Sequence, residues 1–213
     1  MVTKACIFDF DGTVIDSEKY HYIAWREVAN AVGTDISYEE YLPFKSAGRR
    51  VVIPYLFKKA GKTLTENLYD KFHTLRQERI LLALSSLNES DIMPGVINYV
   101  RFLKSKGIKC AVASSSAAAH VTAKRFGIFD LFDAFIDGEA NLPNKPNPDL
   151  FLAAAKMLNV KPVDCVVFED SINGLKAGKN ANMMVIGFQT HFTDIADRII
   201  DDFSTATLDT VTF

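Results

Sequence analysis

Five short runs of the chain are apolar at nearly every position: Ala5 to Phe10, Ile108 to Ala113, Ala134 to Ile136, Cys165 to Phe168 and Met184 to Phe188. A strand with one face in water alternates apolar and polar residues, so unbroken apolar runs predict strands covered on both faces. Helical patterns lie between the later runs, over Val96 to Lys106, Ala117 to Phe126, Pro148 to Leu158 and Gly174 to Asn180. Gly107 and Gly127 follow two of them, where a glycine ends a helix. Strand and helix in alternation call for a parallel sheet covered by helices. The predicted class is α/β, with ligands at the carboxyl ends of the strands.

One segment breaks the alternation. From Asp16 to about Asn88 only helical patterns occur. Tyr20, Ile23, Ala24, Val28, Ala31 and Val32 make an apolar stripe at helix spacing, and Arg49 to Lys59 and Thr65 to Leu84 read as two further helices. Pro54 predicts a kink or restart in the former. Met93-Pro94-Gly95 marks the return to the alternating pattern. The expected organisation is a discontinuous core, residues 1–15 and 91–213, with an all-helical insertion over residues 16–90.

The 213 residues carry a formal net charge of -2, so no basic field exists to hold a nucleic-acid backbone. No apolar run approaches the 18 or so residues needed to span a membrane, and Met1-Val2-Thr3-Lys4 leads straight into a strand without a signal-peptide pattern. Cys6, Cys110 and Cys165 lie far apart, each inside an apolar run, as buried free thiols do. An odd number of buried thiols suits a reducing compartment. A soluble cytoplasmic protein is expected, with no nucleic-acid, membrane or obligate protein partner.

Chemistry concentrates at the strand ends. Phe8-Asp9-Phe10-Asp11-Gly12-Thr13 closes the first strand with two aspartates one residue apart. An ordinary Asp-Gly turn accounts for Asp11 and Gly12 but leaves Asp9 at the end of an apolar strand, where burying a charge costs several kcal/mol unless a cation neutralises it. A hard divalent cation suits the position. Val112-Ala113-Ser114-Ser115-Ser116 ends the second strand with hydroxyls and backbone N–H groups ahead of a helix, which fits a phosphoryl oxygen and equally fits a helix cap. Lys145 sits in Asn144-Lys145-Pro146-Asn147-Pro148, stiffened by two prolines. Val166-Val167-Phe168-Glu169-Asp170-Ser171 ends a further strand with paired acids.

These four boxes in this order resemble the haloacid dehalogenase superfamily of aspartyl-phosphate phosphotransferases. The resemblance implies a Rossmann-like three-layer core, and the helical insertion is similar to the cap of the subgroup that includes β-phosphoglucomutase and many sugar-phosphate phosphatases. It makes Asp9 the nucleophile that accepts the phosphoryl group and Asp11 the general acid and then base. It places Ser114 and Lys145 on the transferring phosphoryl oxygens. Mg²⁺ is implied on Asp9, Asp170 and the Asp11 backbone carbonyl, with Glu169 bound directly or through water. A dehalogenase lacks the second acid and needs no metal, so Asp11 argues against that branch.

The resemblance also marks substrate-binding positions: His21 and Trp25 on the first insertion helix, the basic pair Lys45 and Arg49, and Ser115 and Ser116. A packed helix face and a solvated basic loop explain the first four as readily. Mutases of this kind continue the serine loop with a lysine and an asparagine that grip a second phosphate. Here Ala117 and Ala118 stand there, and their side chains donate nothing. The expected activity is Mg²⁺-dependent hydrolysis of a small phosphorylated sugar, with β-phosphoglucomutase chemistry as the alternative. His73, His120 and His191 show no ligand spacing and receive no role.

Overall fold

A computed structural model describes residues 2–190 and 192–213. Among the described residues six strands form one sheet: β1 (Ala5–Phe8), β2 (Lys109–Ala113), β3 (Ala134–Ile136), β4 (Cys165–Glu169), β5 (Met184–Phe188) and β6 (Arg198–Ile200). Their order is β3-β2-β1-β4-β5-β6 and every pairing is parallel. The α-helices among the described residues are α1 (Glu18–Val32), α2 (Tyr38–Tyr41), α3 (Arg49–Lys59), α4 (Glu66–Leu84), α5 (Val96–Ser105), α6 (Ala119–Arg125), α7 (Asp149–Met157) and α8 (Ile172–Asn180).

The sheet is buried on both faces, as its apolar runs require. Ala5 and Ile7 of β1 join Ala111, Ala113 and Val167 against Leu150, Phe151 and Ala154 of α7 and Ala177 of α8. The alternate residue Phe8 points the other way and stacks on Phe168, with ring centroids 4.7 Å apart. Tyr99 of α5 and Phe203 pack on Phe168 from that side. Helix, sheet and helix make three layers, the Rossmann-like arrangement expected of the α/β class. All three cysteines are buried thiols.

The chain divides into two units, Met1–Asp16 with Asn88–Phe213, and Ser17–Leu87. The second is helical and has its own core, built from Trp25, Val28 and Val32 of α1, Val52, Ile53 and Leu56 of α3, and Phe72 of α4. Among the described residues, no helix is long and apolar enough to cross a membrane.

Several elements differ from the sequence reading. β1 ends at Phe8 rather than Phe10: Asp9 N still bonds Phe168 O, but the Phe10 carbonyl then accepts from Val14 and Ile15 in a tight turn. β6 was not expected, being a three-residue edge strand that is only half-buried and so lacks an apolar signature. Pro54 lies inside an uninterrupted α3. The apolar stripe of α1 is rotated: Ile23 and Ala31 are exposed, while Trp25 and Ala29 are buried in their place. α2, a single turn closed by a Ser37–Glu40 capping box, went unread because four residues carry no periodicity.

Candidate active site

Parallel register builds the site. Phe8 is level with Val112 on one side and Phe168 on the other. Asp9, Ser114 and Asp170 follow directly on these three strands and Glu169 is the last residue of β4, so they emerge together at the carboxyl end of the sheet. The order of the sheet puts β1 between the half of the chain that winds toward β3 and the half that winds toward β6, the position at which α/β sheets open a crevice.

Asp9 and Lys145 form the centre. The Lys145 ammonium donates to Asp9 Oδ1 at 2.5 Å and lies 3.6 Å from Glu169 Oε1, with the lysine side chain wholly buried. Burial alone pulls an ammonium pKa down, but here the Asp9, Glu169 and Asp170 carboxylates outweigh it and hold Lys145 above its ordinary value. Burial pushes the Glu169 carboxyl well up, with Asp9 and Asp170 adding to the effect and Lys145 opposing it. Ser171 caps α8 by accepting from Gly174 N and donates its hydroxyl to Glu169. That close approach needs a glycine, because a Cβ on Gly174 would overlap the Glu169 carboxylate. Gly12, at φ +87°, plays the same part opposite Asp170, whose Cγ would lie 2.7 Å from an added Cβ.

Asp11 stands apart from this acid group. Its Oδ2 accepts from the Ser114 hydroxyl at 3.2 Å, while Ser114 Oγ accepts from Ser116 N. Ser116 Oγ in turn accepts from Ala118 N at 3.2 Å, just ahead of α6. Ser115 differs: its buried hydroxyl has no hydrogen-bond partner, and neither does that of Thr13. Unsatisfied buried hydroxyls cost about 1–3 kcal/mol each, a penalty that a ligand oxygen removes.

In the helical unit, Lys45 pairs with Glu18 at 3.5 Å and Arg49 bonds His73. His21 Nδ1 lies 3.1 Å from Arg76 Nη2, and the Arg76 guanidinium lies over the Trp25 ring at 4.6 Å. Trp25 is thus part of the packed interior beneath a buried cation.

A family model, haloacid dehalogenase-like hydrolase, matches residues 3–182. The chain belongs to that family. β-Phosphoglucomutase of Bacillus subtilis is 33% identical over 86% of this chain and 82% of its own. The phosphorylated carbohydrates phosphatase of Thermotoga maritima is 31% identical over 84% and 82%. Among solved structures, β-phosphoglucomutase from Clostridium difficile superposes with a TM-score of 0.91 at 29% identity, covering 99% of this chain and 96% of that one. The protein is an enzyme of the haloacid dehalogenase phosphatase or phosphomutase kind.

The acids of this family member fit a hard divalent cation. Asp9, Glu169 and Asp170 each offer a carboxylate oxygen, all within 4.8 Å of one another, and they are the group of this kind among the described residues. Three carboxylates face one buried ammonium, so the donor set is oxygen-only and negative overall, which suits Mg²⁺ or Ca²⁺ and not a soft metal. The Asp11 side chain is outside that group, engaged with Ser114.

One residue and one contact escaped the sequence reading. Arg76 is 4% exposed on α4, and a lone arginine in a long helix carries no signal of its burial. His73 meets Arg49 across 24 residues of sequence, a distance no local pattern spans. His120 stacks on Phe129, ring centroids 4.5 Å apart, in keeping with a packing role. His191 lies outside the described residues.

Proposed function

We propose that this enzyme hydrolyses a small phosphorylated sugar through a phosphoryl group carried transiently on Asp9. The observation that carries the reading is the Lys145 ammonium held on Asp9 within a buried acid cluster at the sheet's switch point. An Asp9 carboxylate oxygen attacks phosphorus and the bond to the sugar oxygen breaks. Asp11 donates its proton to that leaving oxygen, then as a carboxylate takes a proton from the water that attacks the phosphoryl group and restores Asp9. Ser114 aligns Asp11 through their hydrogen bond. Lys145, the Ser115 hydroxyl and the backbone N–H groups after β2 stabilise charge spread over the equatorial phosphoryl oxygens. Asp9, Asp170 and the Asp11 backbone carbonyl would hold Mg²⁺, with Glu169 bound directly or through water. The ion would neutralise the acids and draw electron density from the phosphoryl oxygens. The α/β unit performs the chemistry, and the reading assigns Lys45, Arg49 and His21 of the helical unit to recognition of the sugar.

Mutase chemistry is the second reading, favoured by the likeness to the Clostridium difficile β-phosphoglucomutase. Hydrolysis is preferred on the loop after β2. The Ala118 side chain is buried, and neither Ala117 nor Ala118 has a side-chain donor to offer a second phosphate. A mutase must grip a second phosphate while either end of the sugar faces the nucleophile.

The test is a panel of sugar monophosphates assayed with Mg²⁺ for release of inorganic phosphate, alongside β-glucose 1-phosphate with a bisphosphate primer. Phosphate release should dominate, and Asp9→Asn should abolish it with the fold retained. Isomerisation outrunning phosphate release reverses the choice between the two readings. Full turnover in Asp9→Asn, or in excess chelator, overturns both.

A further inference from the structure

Arg49, in the first turn of α3, places Nη1 2.7 Å from Nε2 of His73 on α4. A guanidinium donates and never accepts, and it keeps its proton at every accessible pH. His73 Nε2 is therefore the accepting nitrogen, and the ring is neutral with its proton on Nδ1. Protonating Nε2 sets donor against donor and cation against cation, so the bond holds only with the neutral ring.

We propose that neutral His73 is a positioning residue that fixes the direction of the Arg49 guanidinium for substrate binding. The proposal rests on the reading of Arg49 as a substrate-binding residue. The groups around His73 favour the neutral ring. Burial comes first, then the Arg49 and Arg50 charges from α3, all lowering its pKa, while Asp70 on its own helix works the other way. The Tyr69 ring lies beside it, centroids 5.9 Å apart. α1 also packs on α4, but its charged contacts fall further along, His21 with Arg76 and Glu27 with Arg79. Orientation of Arg49 is present above the His73 pKa and is lost as pH falls through it, below the ordinary histidine range.

The experiment uses the sugar monophosphate with the highest kcat/KM from the panel, with p-nitrophenyl phosphate as a substrate that has no sugar. His73→Ala should raise KM for the sugar phosphate roughly tenfold at pH 8, the scale of a hydrogen bond to a charged group, with a much smaller change in kcat and in the aryl phosphate KM. His73→Gln supplies an oxygen that accepts from Arg49 and does not titrate. It should restore most of the KM and abolish the rise in KM that the wild type shows on the acid side. Comparing these two enzymes on one substrate removes the titration of the substrate's own phosphate from the result. Unchanged KM in His73→Ala, beside a raised KM in Arg49→Ala, overturns the positioning role and leaves the substrate reading standing. Unchanged KM in Arg49→Ala overturns both. A wild-type acid-side rise persisting in His73→Gln also sinks the proposal.

Discussion

Replacing Lys145 by methionine keeps the volume of the buried stem and removes only the charge. At an effective dielectric of about 20, a unit pair at the 2.5 Å Lys145–Asp9 separation is worth roughly 7 kcal/mol, and one at the 3.6 Å Lys145–Glu169 separation roughly 5 kcal/mol. The lysine's own desolvation offsets several kcal/mol of this, so truncation should cost about 3–5 kcal/mol, the range for breaking a buried pair. For a chain of 213 residues that corresponds to a Tm lower by about 6–20 °C. The pH dependence has a definite sign. A carboxyl whose folded pKa exceeds its unfolded one contributes stability at low pH and loses it as pH rises through the folded value. Glu169 is such a group, and Lys145 is the partner that opposes its upward shift. Without Lys145 the Glu169 pKa rises further, so the deficit of the variant relative to wild type should be large at pH 8 and smaller at pH 5.5. Mg²⁺ should narrow it too, since a cation substitutes for the missing ammonium. Thermal melts in chelator at both pH values, and in Mg²⁺ at pH 8, measure all three effects. A Lys145→Met protein that melts within a degree or two of wild type in chelator at pH 8, or a deficit that grows on acidification, would refute the electrostatic account.

Gly174→Ala forces the Glu169 carboxylate out of the space its Cβ would take, so turnover should drop at least tenfold and stability by about 1–3 kcal/mol, the usual scale of overpacking; wild-type values for both would show that the acid is held elsewhere. The cysteines should be silent toward a disulfide reagent in the native state. Burial pushes the Cys110 and Cys165 thiols up to about 12 and Cys6 well above its usual value. A thiol pKa of about 12 leaves about one thiolate in ten thousand at pH 8. Rapid labelling without denaturant would contradict their burial within the strands of the sheet.

The comparison between expectation and structure turns on particular elements. β1, β2, β4 and β5 were legible because a parallel sheet covered on both faces demands apolar residues at every position, and few other structures do. β6 was not, since an edge strand with half its surface in water has no such demand. α1 was recognised as a helix with Ala24, Val28 and Val32 on its buried face, but Ile23 and Ala31 were misassigned: Ala and aromatic residues pack inward or outward according to what covers them, and that is a property of α3 and α4 as much as of α1. The Arg49–His73 and Arg76–His21 contacts have the same origin.

The chain by itself determined the class of fold and displayed the four boxes on which the family likeness rests. Each of these depends on the period or order of residues along the backbone, which sequence displays directly. Tertiary structure decided which groups meet: that Lys145 rests on Asp9 and not in solvent, that the Asp11 side chain accepts from Ser114, and that Arg49 meets His73. Those outcomes depend on register between strands and on helix packing, which bring together residues as far apart as Asp9 and Lys145. Coulomb energies at such distances depend on burial that the whole fold creates, and no local stretch of sequence contains it.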